Sequence, residues 1–290
     1  MKNIIPYILQ EEFDDQLQSF HRIEGLGLVN EVYRVQGENG RYVFRFNEPY
    51  KLIEYKKEVS CLSQVAKLGV PSPRAVYLGQ IGEILCMVQE ALPGENGSRI
   101  PKDQQTEIWR KLGAYAARFH QIPRIEDAQV EAAEFHADWK ARLQYNLAEL
   151  HDEDSLLQFL APEEHRAIKA ALTSLLEKDF QSGLVHGDLC PRNVLVDGAA
   201  VYLLDWGTAE INVVPHIELG ILQRSGEATE TDFQLFLDAY GMSREAFAAI
   251  EPDIRLLYLL HRLDKYRWAE GQEDEDWADF AEKVRESMLC

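Results

Sequence analysis

The sequence predicts an α+β fold, in which a strand-rich part of about 90 residues precedes a longer helix-rich part. The run 41–46 is typical of a strand, and the run 53–68 is typical of an amphipathic helix that ends at Gly69, before Pro71. Further helices are predicted later in the chain, at 104–120, 135–150 and 162–179. The chain has 290 residues, of which 46% are hydrophobic, so about two domains with substantial cores are expected.

Composition narrows the function classes. No apolar run approaches the ~20 residues that cross a bilayer, and the first residues lack a signal peptide's apolar stretch, so a cytoplasmic location is expected. The four cysteines are widely spaced, which indicates neither a zinc site nor a disulfide framework. The formal net charge of −19 argues against nucleic-acid and membrane partners. It is compatible with a cationic small-molecule partner and equally with simple solubility.

The strand–turn–strand pattern near the start of the chain is glycine-rich. Residues 25–32 follow G-x-G-x-x-G-x-V, except that Asn30 stands at the third glycine position after Gly25 and Gly27 and before Val32. Glycines let backbone N–H groups approach phosphate oxygens, and asparagine tolerates positive φ better than most residues. A plain β-turn is the alternative.

The next strand and helix predict an ion pair. Because side chains alternate along a strand, Tyr42, Phe44 and Phe46 share one face of 41–46, while Val43 and Arg45 share the other.

In the helix 53–68, Glu58 lies on the same side as the apolar stripe, and a buried carboxylate requires a cation. Arg45 is the natural partner. The alternative for Glu58 is a solvated position beside Lys56 and Lys57.

The most informative run of the chain is His186-Gly187-Asp188-Leu189-Cys190-Pro191-Arg192-Asn193. A hairpin with its turn at 197–200 follows, in which Val196 is predicted to face Val201 and Asn193 to face Leu204. Asp205 comes directly after that hairpin. The oxygen atoms of Asn193 and Asp205 suit a hard cation such as Mg²⁺, and Asp188 supplies a further carboxylate.

These motifs resemble the aminoglycoside phosphotransferase and choline kinase family, which has a protein-kinase-like fold. The resemblance is carried by the run 186–193 and the pair Asp205-Trp206. It implies that Asp188 is the catalytic base and that Asn193 and Asp205 bind magnesium. It also implies that Val43 covers the nucleotide base and that Arg45, where the usual residue is lysine, steadies the phosphates with Glu58.

The resemblance further implies a bilobal molecule. A nucleotide-binding lobe would span residues 1–90, a hinge about 89–94, and a helical lobe with the acceptor site 95–290. ATP or GTP would bind with Mg²⁺ between the lobes. The backbone of the hinge residues would contact the base; these are Gln89, Glu90 and Ala91.

The sequence restricts the acceptor to several chemical classes. The resemblance implies a hydroxyl on an antibiotic, on choline or ethanolamine, or on an amino alcohol or sugar, and the acidic charge favours an amine-bearing acceptor such as an aminoglycoside. Residues expected near this acceptor are Glu210, Glu218, Asp264 and Trp268. Two alternatives remain: a protein kinase, against which the absence of A-P-E argues, and a non-catalytic nucleotide-binding module, which Asn30 and Arg45 would suit.

Overall fold

The computed structural model describes residues 3–23, 31–133, 138–149 and 161–270, although not the side chains of residues 132, 133, 149 and 264–270. The first half of the chain contains α1 (Ile4–Phe13), β1 (Leu17–Arg22), β2 (Glu31–Gly37), β3 (Arg41–Asn47), α2 (Leu52–Lys67), β4 (Ala75–Ile81), β5 (Ile84–Glu90), β6 (Glu95–Asn96), α3 (Thr106–Phe119), α4 (Ala128–Ala133) and α5 (Trp139–Glu149). The second half contains α6 (Pro162–Ser174), β7 (Ser182–Val185), β8 (Val194–Asp197), β9 (Ala200–Leu203), β10 (Glu210–Val213), α7 (His216–Arg224), α8 (Glu230–Tyr240) and α9 (Arg244–Glu270).

These elements form two compact units that each draw on several stretches of the chain. The N-terminal unit comprises Met1–Ile108, Ile125–Ala133 and Pro191–Ala209, and the C-terminal unit comprises Trp109–Arg124, Glu134–Cys190 and Glu210–Cys290. The hinge at 89–94 stays a prediction. In the part of the chain that the structure describes, no helix is both long enough and apolar enough to span a bilayer.

A five-stranded antiparallel sheet of order β1-β2-β3-β5-β4 forms the N-terminal unit's framework. One face of the sheet packs on α1, and the buried residues of that layer are Ile5, Ile8, Leu9, Val35, Phe44, Phe46, Cys86 and Val88. On the other face, Leu85 and Met87 pack on Tyr55 of α2. The alternation predicted for β3 is confirmed, and Arg45, which pairs with Met87, is directed towards α2.

The hairpin of β8 and β9 belongs to the same unit, where β6 extends it to three strands. Val196 pairs with Val201, as predicted, and the backbone N–H of Leu204 donates to the Asn193 carbonyl at 2.8 Å. Gly198 supplies the positive φ of +58° in the turn, a conformation that costs glycine little.

Helices dominate the C-terminal unit, around the short antiparallel ribbon of β7 and β10. One buried core of this unit joins α5, α6, α7 and α9 to this ribbon, and its residues include Leu143, Leu172, Val185, Ile217, Leu257 and Leu260. The strand β7 leads directly into the run that begins at His186, so this core fixes the position from which that run starts.

Candidate active site

Arg45 and Glu58 form the ion pair that the sequence predicts. The Arg45 Nη1 atom donates to Glu58 Oε1, and the two side chains are only 12% and 2% exposed. Gln89 Nε2 donates to the same Glu58 oxygen at 3.4 Å, and the guanidinium carbon lies 5.5 Å from the centre of the Tyr55 ring. Burial raises the pKa of Glu58, while the Arg45 guanidinium opposes that rise, so the carboxylate depends on Arg45 to stay charged.

Asp205 lies on the other side of the same guanidinium, with its Oδ1 atom 3.9 Å from Arg45 Nη2. Its side chain is 52% exposed, in contrast to that of Glu58. The Asp205 backbone is left-handed (φ 56°), a conformation uncommon for residues other than glycine. The next residue, Trp206, is fully buried, which holds the turn in place. Arg45 therefore joins a buried carboxylate to an accessible one.

Asn193 is a buried residue at the same end of the β8–β9 hairpin. Its carbonyl accepts from Leu204, the residue before Asp205, so the register places Asn193 and Asp205 at neighbouring positions. The loop before it is held by Asn96, whose Nδ2 donates to the Arg192 carbonyl at 2.7 Å. Among the described residues, no cluster of three or more His, Cys, Asp or Glu side chains could hold a metal alone. The donor set instead fits an ion that takes its other ligands from phosphate oxygens.

In the C-terminal unit, Asp188 lies in a loop whose backbone is hydrogen-bonded to the side chain of Glu218. Glu218 belongs to α7 and is fully buried, and its carboxylate accepts from the backbone N–H of His186 at 2.6 Å and of Gly187 at 3.1 Å. The Asp188 N–H points back to His186 Nδ1 at 3.3 Å, and the Asp188 side chain is partly exposed. The loop is thus fixed through its backbone, and the Asp188 side chain remains accessible.

These contacts bear on the expectation that Glu218 lies near the acceptor, which stays a prediction. Both of its carboxylate oxygens are used by backbone N–H groups, and none of its surface is exposed. In this structure the Glu218 carboxylate therefore contacts the loop backbone, and it could bind a ligand only by releasing one of these two hydrogen bonds.

Glu210 lies in β10, directly across from Val185, the residue before the His186 run. Its Oε2 atom is 3.0 Å from Arg142 Nη2, while its Oε1 atom accepts from Asn212 at 2.7 Å and lies 3.8 Å from His261 Nδ1. Although burial opposes ionisation, Arg142 and then His261 lower the pKa of Glu210 to about 2. A quarter of its side chain is exposed, and its contact with an acceptor stays a prediction. No sequence spacing links Arg142 to Glu210, so this partner is found only in the structure.

The residues predicted to surround the nucleotide base lie on strands β2, β3 and β5 and directly after β5. Val32 and Val43 lie in β2 and β3, and Val43 pairs with Gln89. The N–H groups of Glu90 and Ala91 already donate to the carbonyls of Arg74 and Arg41, both at 3.0 Å. These two N–H groups are therefore already used within the protein, and the contact of a base with the backbone of Gln89, Glu90 and Ala91 stays a prediction.

The remaining predicted positions lie outside what the structure describes. Gly25, Gly27 and Asn30 fall in the undescribed stretch 24–30. Asp264 and Trp268 belong to α9, but their side chains are not described. Their roles stay predictions.

The chain is similar in sequence to a known family of phosphotransferases. A family model described as the phosphotransferase enzyme family matches residues 22–253. An aminoglycoside 3′-phosphotransferase of Streptomyces fradiae is 29% identical over 217 residues, which cover 73% of this chain and 75% of that protein. A homoserine kinase of Methylobacillus flagellatus is 26% identical over 189 residues, which cover 60% of this chain and 53% of that kinase.

Among solved structures, that of aminoglycoside 2′-phosphotransferase-IIIa in complex with GDP is similar, with a TM-score of 0.71 and 18% identity, covering 99% of this chain and 98% of that one. This likeness confirms the predicted α+β, protein-kinase-like fold. Because the family model spans most of the chain, the protein belongs to the phosphotransferase enzyme family.

Proposed function

We propose that this phosphotransferase transfers the terminal phosphoryl group of ATP or GTP to a hydroxyl of a small, amine-bearing acceptor such as an aminoglycoside. The observation that carries the proposal is the contact of Arg45 with both Glu58 and Asp205, with Asn193 at the adjacent hairpin position. A desolvated cation beside an accessible carboxylate suits the phosphates of a nucleotide and their metal ion.

In this proposal, Asp188 orients the acceptor hydroxyl and takes its proton late in the transfer. Phosphoryl transfer needs little covalent chemistry from the protein, because positioning and charge neutralisation supply most of the rate enhancement. The backbone hydrogen bonds from His186 and Gly187 to Glu218 support such a role, since they fix the loop while the Asp188 side chain stays accessible.

Asn193 and Asp205 would hold magnesium together with the phosphate oxygens. When bound, such an ion neutralises the negative charge that develops on the phosphates. Arg45 adds a fixed positive charge on the same side, and Glu58 keeps that charge in place.

The preference for an amine-bearing acceptor is supported by two observations. The net charge of −19 favours the approach of cations, and the Streptomyces relative is named for an aminoglycoside. Choline, ethanolamine and sugars remain alternatives within the same reaction class. The homoserine kinase relative adds amino acids that carry a hydroxyl. The alternative from another class is a nucleotide-binding module without turnover.

The test is a nucleoside diphosphate release assay with Mg²⁺ and either ATP or GTP across these acceptor classes, with Asp188→Asn as the inactive variant. We expect acceptor-stimulated release that falls by about 10²–10⁴ in Asp188→Asn, while nucleotide affinity stays unchanged. Asp197→Asn is the matched control, because Asp197 is an exposed carboxylate at the end of β8. A fall of less than about threefold in Asp188→Asn would reject the role of this residue.

If no acceptor stimulates nucleoside diphosphate release while magnesium-dependent nucleotide binding persists, the result would favour the non-catalytic module. Turnover of a neutral sugar with no response to any amine would instead keep the reaction and overturn the acceptor class.

A further inference from the structure

Tyr240, at the C-terminal end of α8, contacts His120, which directly follows α3. The Tyr240 hydroxyl lies 3.0 Å from His120 Nδ1, and the two ring centres are 5.4 Å apart. Gly113 explains how the helices come so close, because a Cβ atom there would lie 2.2 Å from the Phe236 carbonyl oxygen of α8. His120 lies two helical turns beyond Gly113, and Tyr240 lies one turn beyond Phe236, so this close approach brings the two side chains together.

The other nitrogen of His120 faces Glu218. His120 Nε2 lies 3.8 Å from Glu218 Oε2, and both side chains are only 1% exposed. That nitrogen has no hydrogen-bond partner within the described ranges. Glu218 Oε2 is also the oxygen that accepts from the His186 N–H. A chain of polar groups therefore runs from Tyr240 through His120 and Glu218 to the loop that carries Asp188.

The position of the carboxylate selects the histidine tautomer. With the proton on Nε2, the ring directs a positive N–H group towards Glu218, and Nδ1 accepts from the Tyr240 hydroxyl. With the proton on Nδ1, a lone pair would face the carboxylate in a buried, low-dielectric setting, which is repulsive. The first arrangement gives the Tyr240 hydroxyl an acceptor and turns the positive edge of the ring towards the Glu218 carboxylate.

We propose that Tyr240 is a positioning residue for phosphoryl transfer, because its hydroxyl donates to His120 Nδ1 and so fixes the tautomer whose Nε2–H supports Glu218. The step from Glu218 to catalysis rests on the role proposed for Asp188. The step from Tyr240 to the His120 tautomer does not depend on any activity. Tyr240 acts on the reacting groups only through His120 and Glu218.

The Tyr240 hydroxyl is well suited to remain a donor. Burial, followed by the negative charge of Glu218, raises the pKa of Tyr240 to about 12, so the hydroxyl keeps its proton at any working pH. The carbonyl of His120 also lies against β7, where a Cβ atom on Gly183 would come within 2.1 Å of it. The histidine backbone is thus held against the strand that leads into the loop.

The direct test is the protonation state of His120, measured by two-bond ¹H–¹⁵N correlation in the full chain with labelled histidine. The chain has 8 histidines, so His120→Gln suffices to assign the resonances. We expect wild-type His120 to carry its proton on Nε2, and Tyr240→Phe to give a mixture of tautomers. A wild-type ring protonated on Nδ1, or on both nitrogens, would overturn the proposal.

The second readout separates positioning from stability. With an acceptor identified by the release assay, Tyr240→Phe should lower kcat by about three- to tenfold and leave the nucleotide KM within about twofold. Both are measured at a temperature below the unfolding transition of the variant. Tyr258→Phe is the control, because Tyr258 packs its ring 5.0 Å from the Arg224 guanidinium on the neighbouring helix. It should leave kcat and the His120 tautomer unchanged.

The proposal requires both readouts to change in Tyr240→Phe. An unchanged tautomer would overturn it, and so would a changed tautomer with an unchanged kcat. If no acceptor is turned over at all, the proposed function fails, whereas the histidine resonances still decide whether Tyr240 fixes His120.

Discussion

Arg45 makes three contacts at once, with Glu58, with Asp205 and with the ring of Tyr55. A planar guanidinium suits this arrangement, because it can donate in two directions and stack on an aromatic face, whereas an ammonium group is a compact point charge. The arginine that departs from the usual lysine therefore fits its surroundings. The side-chain amide of Gln89 completes the group by donating to Glu58.

Arg45→Ala should both destabilise the protein and weaken nucleotide binding. Removing the cation leaves Glu58 buried without its partner, which costs about 3–5 kcal/mol of unfolding free energy. Urea unfolding measures the first effect, and the KM for ATP or GTP measures the second.

The double variant Arg45→Ala/Glu58→Ala separates the two effects. Because it removes both charges, it should recover part of the lost stability without restoring nucleotide affinity. Arg34→Ala, in the exposed part of β2, is the control for loss of a strand arginine. Unchanged nucleotide affinity and turnover in Arg45→Ala would refute the role of Arg45.

At the scale of elements, Glu210 ties β10 to two helices, because Arg142 belongs to α5 and His261 to α9. The cluster lies beside the end of β7, where the loop with Asp188 begins. The stability that this cluster contributes should therefore depend on the charge of the Glu210 carboxyl group, which changes with pH.

Glu210→Gln should alter the pH dependence of stability. The folded-state pKa of Glu210 is lowered from 4.5 to about 2, so its contribution is fully present above pH 4.5 and is lost as the pH falls towards 2. At neutral pH the shift corresponds to about 3 kcal/mol.

Urea unfolding of the wild type and of Glu210→Gln between pH 7 and pH 3 measures this difference. The gap in unfolding free energy should be constant at the upper end and narrow below about pH 4.5. A gap that stays constant throughout would show that Glu210 does not titrate as the ion pair requires.

Elements differ in how far their sequences predict them. The alternation in β3 and the inward Glu58 of α2 predict the Arg45–Glu58 pair, because both periodicities are local. No element is predicted above for 216–240, where α7 and α8 form. The helix α7 is buried on most sides and carries a buried glutamate and histidine, so it lacks a clear polar face. The helix α8 does have local signals, namely a capping box between Thr229 and Asp232 and Gly241 after its last residue.

At the scale of the whole molecule, the excess of 49 acidic over 30 basic residues should attract cationic acceptors. We expect the KM of a polycationic acceptor to rise roughly three- to tenfold between about 0.05 and 0.5 M salt, because screening weakens that attraction. The KM of a neutral hydroxyl acceptor is the control and should change by less than about twofold. Equal salt dependence for the two acceptors would remove charge as a determinant of acceptor class.

The sequence by itself determined the α+β class, the motifs that carry the family resemblance, the β8–β9 register and the Arg45–Glu58 pair, because each depends on local patterns within one or two adjacent elements. The kinase-like fold was implied only by that resemblance. Only the tertiary structure decided that Glu218 turns to the loop backbone, that Arg142 neutralises Glu210 and that Tyr240 meets His120. These partners lie 32, 68 and 120 residues apart in the chain. Periodicity tells which side of an element is buried, but the packing of distant elements decides which side chain it meets there.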